Sequence, residues 1–293
     1  MSSYHKSGDL WCAKISLKES REMLQKWREN NTRCPEKVRD LWYHGLNKCD
    51  SIGDERWLII EQVCVAAMDL YDSKLIKECL SLLNDKFPKS SRIRRLKIMA
   101  NLEMRERYED ASNTYDDMIQ KDESNPILYK RKIAIFIAQK KIPEAIKYLT
   151  EYLKQFMNDT EAWLELCSLY IQDQAYSRAA FCMEELILTN PHNHLFHQRY
   201  AEIQYTINTP ESLEIARSYY SQALKLNPSN MRALYGLYLT CTVLANQPRS
   251  NSQKKKENVR VSTWAMTQIT KSYQKHNEDD LSTVEAMFTS LQI

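Results

Sequence analysis

The chain has 293 residues, 43% of them hydrophobic and 27% charged, with a net charge of +3 and four glycines, Gly8, Gly45, Gly53 and Gly236. That balance fits a soluble protein with a substantial core and is too weakly basic to point to a nucleic-acid partner. Scarce glycine argues against turn-rich β architectures and phosphate-cradling loops, so an all-α chain is expected. In chain order, MSSYHKSGDLWCAKISLKES (1–20) lacks the apolar segment of a secretory signal, and residues 1–15 are expected to form a flexible N-terminus. SLKESREMLQKWRENN (16–31) and PEKVRDLWYHGLNKC (35–49) predict a helical pair that caps the N-terminal side within 16–54. Apolar runs such as IAIFIA (133–138) fall far short of the ~20 residues that span a bilayer.

From residue 55 the pattern repeats. Ala111, Ala145 and Ala179 stand 34 residues apart, in YEDASNTYDDMI, IPEAIKYLTEYL and YSRAAFCMEELI. A further copy, LEIARSYYSQALKLNP, carries Ala216. A 34-residue period of paired helices is the tetratricopeptide signature, which predicts a solenoid of antiparallel pairs in a right-handed superhelix. About five repeats are expected over 55–230, at roughly 55–89, 91–123, 125–157, 160–193 and 194–230. The fourth shows the logic: Trp163, Leu166, Cys167 and Tyr170 share one face of its first helix. Small Cys167 and Ala179 let the two helices approach, and Asn190-Pro191 ends the second helix. The first repeat departs by placing Ile76 where the others carry alanine, and the fifth has three extra residues near Thr209-Pro210-Glu211, expected in its inter-helix turn. NMRALYGLYLTCTVLA (230–245), NVRVSTWAMTQITKSYQ (258–274) and LSTVEAMFTSLQI (281–293) predict C-terminal capping helices within 231–293, with a basic loop at 246–258.

Chemistry is sparse. Eight cysteines (12, 34, 49, 64, 79, 167, 182 and 241) form no CxxC pair and read as free thiols packed in a core. His192, His194 and His197 lie in a turn with no further ligand at suitable spacing, so no metal or cofactor is expected. The chain holds no GxSxG, HExxH or P-loop, and the pairs Asp116-Asp117 and Asp122-Glu123 read as solvated helix ends, so no catalysis is expected.

The stretches KWREN (26–30), ERYEDA (106–111), KRKIAI (130–135), AAFCMEELILTNPHNHL (179–195), ALKLN (223–227) and NMRAL (230–234) make the chain similar to the tetratricopeptide family of subunit 2 of the ER membrane protein complex. The resemblance covers roughly 18–293. It implies a non-catalytic scaffold on the cytosolic face of the endoplasmic reticulum membrane. It further implies a place in an insertase for transmembrane segments, tail-anchored proteins included. Other subunits, membrane-embedded and soluble, would be its partners, with no nucleic acid, no span of its own and peripheral contact with the membrane.

By repeat phase, Arg94, Lys97, Asn101, Arg131, Leu164, Ser168, Gln198 and Glu202 are expected to project from first helices into a partner-binding groove. Ala111, Ala145, Trp163, Cys167, Tyr170, Ala179, Pro191 and Ala216 are expected to pack the repeats. Eight cations between Lys86 and Arg107, and Lys254-Lys255-Lys256, read either as solvated faces or as contacts for acidic segments or an anionic leaflet. A second reading is a soluble co-chaperone adaptor that clamps a chaperone's C-terminal carboxylate. Lys97 and Asn101 match part of that clamp, but Lys132, Glu161 and Glu165 occupy its remaining positions, and the glutamates would repel a carboxylate.

Overall fold

The computed structural model describes residues 15–48, 53–247, 252–276 and 281–291, and every regular element among them is a helix. The expected flexible N-terminus, apart from Ile15, lies outside the described residues. The chain divides into two compact units at Gln139/Lys140. The division falls inside the third repeat, whose first helix closes one unit and whose second helix opens the other.

The first unit holds α1 (Leu17–Glu29), α2 (Pro35–His44), α3 (Glu55–Asp69), α4 (Ser73–Lys86), α5 (Ser91–Asn101), α6 (Tyr108–Ile119) and α7 (Pro126–Ala138), with a 3-10 turn at Glu103–Arg105. A capping box fixes the start of α1: the Glu19 N–H donates to Ser16 Oγ at 3.2 Å, and the Ser16 N–H donates to Glu19 Oε2 at 2.8 Å. From α2 onward each helix packs on its successor. Trp42, Leu41, Ile59, Ile60 and Leu75 are sealed in one core, joined by Ile76, which takes the alanine's place at 6% exposure.

The second unit holds α8 (Ile142–Gln155), α9 (Thr160–Gln172), α10 (Tyr176–Thr189), α11 (His194–Ile207), α12 (Pro210–Leu226), α13 (Met231–Asn246), α14 (Ser252–His276) and α15 (Leu281–Leu291). Its helices too pack in chain order. Two sequence expectations are corrected here. The three extra residues of the fifth repeat do not widen the turn: α12 begins 34 residues after α10 and runs for 17 residues against 14, so they form helix. Thr209 caps it and Pro210 takes its first position, where proline's missing N–H and fixed φ cost nothing. The basic loop expected at 246–258 is mostly helix as well, since α14 begins at Ser252 and Lys254-Lys255-Lys256 lie in its first turns.

The 34-residue period governs the backbone beyond the alanines. Asn125, Asp159 and Asn193 cap the first helices α7, α9 and α11, each accepting a backbone N–H on its side-chain oxygen. Glu106, Lys140, Gln174 and Asn208, again 34 apart, all turn the chain in the left-handed region at φ 58–60°. None is glycine, although this conformation costs an ordinary residue about 1–2 kcal/mol. Gln174→Gly is therefore expected to raise stability by about 0.5–1 kcal/mol, the relieved strain less the extra freedom glycine gives the unfolded chain. Urea unfolding reads this directly, and a loss of stability would contradict the turn geometry.

Candidate partner-binding surfaces

The small residues expected at the helix contacts are where close approach demands them. Ala111, Ala145, Ala179 and Ala216 have no exposed surface, and Cys167 is 2% exposed. Burial pushes the Cys167 thiol up to about 11 and those of Cys64, Cys182 and Cys241 to about 12, so none of these is poised as a nucleophile or metal ligand. Trp163 and Tyr170 are only half-buried. The Trp163 indole N–H donates to the Met157 carbonyl at 2.8 Å, six residues back. The same device occurs one repeat earlier and one later. Tyr129 O–H donates to the Glu123 carbonyl at 3.3 Å, and His197 Nε2–H donates to the Pro191 carbonyl at 2.7 Å. A ring donor at this position ties these three first helices to the end of the preceding second helix. Pro191 itself is exposed and leaves α10 ended at Thr189.

In the first unit, most of the basic stretch is already engaged by groups of the same unit, although six of its eight cations stay exposed. Arg92 and Arg95 both hold Glu61, and Arg21 and Arg28 both hold Glu55, pairing successive first helices. Lys86 stands 5.8 Å over the Trp57 ring and Arg107 pairs with Asp110. Two expected groove residues are engaged in the same way. The Lys97 ammonium donates to Asn84, and the Arg131 guanidinium holds Glu103, whose other oxygen accepts the Tyr115 hydroxyl at 2.6 Å. Lys132, needed by the carboxylate clamp, is 5% exposed and pairs with Asp116 at 2.5 Å. Arg94 and Asn101 remain exposed on α5.

In the second unit, Leu164 and Ser168 stand one turn apart and exposed on α9, with the Ser168 hydroxyl donating to the Leu164 carbonyl at 3.0 Å. Gln198 and Glu202 do not face an open groove. Gln198 is 7% exposed, donates to Glu202 at 2.9 Å and accepts from Asn230 at 2.8 Å, while Glu202 pairs with Arg232 at 2.6 Å. The three histidines part company: the His194 ring nitrogens meet the side-chain amides of Asn227 and Asn230 at 3.1 and 3.0 Å, whereas His197 reaches Pro191. Among the described residues no three of His, Cys, Asp and Glu converge as a metal would require.

Each unit carries an apolar slot flanked by exposed large side chains. In the first, Trp57, Leu58, Phe87, Ile93 and Leu96 line about 420 Å³ beside the Glu61–Arg92 pair. In the second, Met157, Trp163, Leu166, Tyr170 and Phe181 line about 390 Å³. Leu58, Phe87, Met157 and Phe181 are large apolar side chains left exposed, which marks these slots as candidate contact surfaces. Sequence reading missed both, because an exposed aromatic at helical spacing looks like any core residue.

With this geometry in view, comparison with known proteins is decisive. Residues 78–225 match the family model described as the EMC2 TPR-like repeat domain. ER membrane protein complex subunit 2-B of Xenopus laevis is 44% identical over 286 residues, covering 95% of this chain and 96% of that protein. The chain belongs to the family of ER membrane protein complex subunit 2. A Dictyostelium discoideum member is 32% identical over 75% of this chain and 71% of its own length. The tetratricopeptide architecture of the family is matched by the C-terminal part of a tetratricopeptide protein from Cytophaga hutchinsonii. That structure gives a TM-score of 0.56 and 14% identity over 88% of this chain and 97% of that one, and it speaks for the fold alone.

Proposed function

We propose that the chain is a non-catalytic scaffold subunit of an ER membrane protein complex. In that role it would hold the cytosolic parts of membrane-embedded subunits and a soluble partner on the cytosolic face of the endoplasmic reticulum. The observation that carries this reading is the 44% identity along 95% of the chain to relatives named as subunit 2 of that complex. Its surfaces are consistent with holding protein segments: apolar slots bordered by charge, and thiols kept unreactive by burial. Through the assembly, the chain would serve the insertion of transmembrane segments, including those of tail-anchored proteins. Among the described residues no helix is long and apolar enough to cross a membrane, so attachment would come through partners. The exposed cations Lys255, Lys256, Arg94 and Arg105 would add peripheral attraction to an anionic leaflet, about 1 kcal/mol each near the surface.

Cell fractionation tests the placement. The protein is expected to sediment with endoplasmic reticulum membranes, to be released by alkaline carbonate, and to be digested by protease added from the cytosolic side. Asn30 and Asn158 are exposed and lie in glycosylation sequons, so a glycan on either would place the chain in the lumen and contradict the proposal.

A further inference from the structure

The slot in the second unit differs from its counterpart one repeat later in ways that make its lining apolar. Met157 stands where Pro191 follows the next second helix, and Met157 is 67% exposed. Phe181 on α10 is 53% exposed, and allowing for the three-residue insertion, the equivalent residue on α12 is Ser218. Trp163 meets Phe181 edge-on at 6.3 Å between ring centroids, whereas the corresponding His197 is buried and stacked on Tyr219 at 5.8 Å. At the later repeat the corresponding space, about 480 Å³ beside His197, Ser218 and Tyr219, is lined mainly by polar side chains, whereas this one presents two rings and a methionine to solvent.

Charge defines what would enter. Lys154 from α8 and Arg178 from α10 line the slot, one cation from each second helix that borders it. Arg178 lies 5.8 Å from the centre of the Tyr170 ring. Both cations are exposed, and among the described residues neither has a carboxylate at ion-pair distance, in contrast to Arg92, Arg95 and Arg131 of the first unit. A carboxylate brought by a ligand would meet two cations not already paired with an acid, next to an apolar floor.

We infer that this slot docks a short acidic segment of a partner protein, inserting one bulky apolar side chain between Met157, Trp163 and Phe181 while flanking Asp or Glu residues meet Lys154 and Arg178. The inference concerns this surface and does not depend on which assembly the chain joins. Cross-linking the full chain in cells tests it, with p-benzoylphenylalanine placed at Phe181 and, as a control, at Leu188, which is 76% exposed. The Phe181 position is expected to give a cross-link absent from the control. Mass spectrometry is expected to place it on a bulky apolar residue within three positions of an Asp or Glu. Lys154→Glu with Arg178→Glu is expected to cut the yield at least tenfold with the melting temperature unchanged. A cross-link to a basic or uncharged segment, to lipid or to a second copy of this chain would overturn the inference. So would equal yields at the two positions, or a yield unaffected by the charge reversals.

Discussion

Trp42→Ala is expected to cost about 3–5 kcal/mol of the first unit's stability, the range found when a fully buried large aromatic is deleted. Trp42 on α2 is 1% exposed and sits in a core with Leu41, Ile59 and Ile60. Deletion removes both the transfer of the ring from water and its packing, and the surrounding helices close the cavity only in part. One feature of the site pulls the other way: the Trp42 indole N–H is buried with no acceptor among the described residues. Removing it recovers an unsatisfied polar group, so the cost should lie toward the lower end of the range. The same reasoning expects Trp42→Phe to be tolerated far better, within about 1.5 kcal/mol, because it keeps most of the ring and drops the orphan donor. Urea unfolding at constant slope reads both. A cost below about 1 kcal/mol for the alanine variant would mean that the N-terminal pair is not part of the core.

Arg131→Glu is expected to cost about 2–3 kcal/mol, because it replaces an attraction across a partly buried pair with two facing carboxylates. Arg131 on α7 holds Glu103 in the 3-10 turn, whose carboxylate also receives the hydroxyl of the fully buried Tyr115 on α6. Three elements are pinned by this one group, and the Glu103 side chain is 13% exposed. Arg131→Gln keeps a donor and should cost about 1–2 kcal/mol. Pairing Arg131→Glu with Glu103→Arg should recover part of the loss. If Arg131→Glu left unfolding untouched, the pairing would be wrong. The consequence for function is practical. Loss of partner capture in an Arg131 or Lys97 variant would report a disturbed fold, so a groove on this face is better probed at exposed Arg94 and Asn101.

The helical repeat was legible because packing leaves a periodic mark. Ala111, Ala145, Ala179 and Ala216 stand where helices come too close for a larger side chain, and all four are fully buried. The inter-helix turns left no such mark. The left-handed position that would invite glycine is filled by Glu106, Lys140, Gln174 and Asn208, which share no chemistry. The expected groove residues show the same limit. Repeat phase gives the face of a helix but not what the side chain meets there, and Lys97, Arg131, Gln198 and Glu202 each have a partner on another element. A usable signal was present in the period itself. Arg21 and Glu55, Arg28 and Gln62, and Glu61 and Arg95 are each 34 residues apart and in contact, because equivalent positions of successive first helices lie side by side.

The central claim, that this chain is a scaffold within a membrane-embedded complex, is tested most directly by isolating the tagged full-length protein from detergent-solubilised membranes and identifying what accompanies it by mass spectrometry. The account predicts co-recovery of transmembrane subunits of the ER membrane protein complex together with its soluble partner. Recovery of cytosolic chaperones alone, with no membrane-embedded subunit, would contradict it and favour the carboxylate-clamp adaptor.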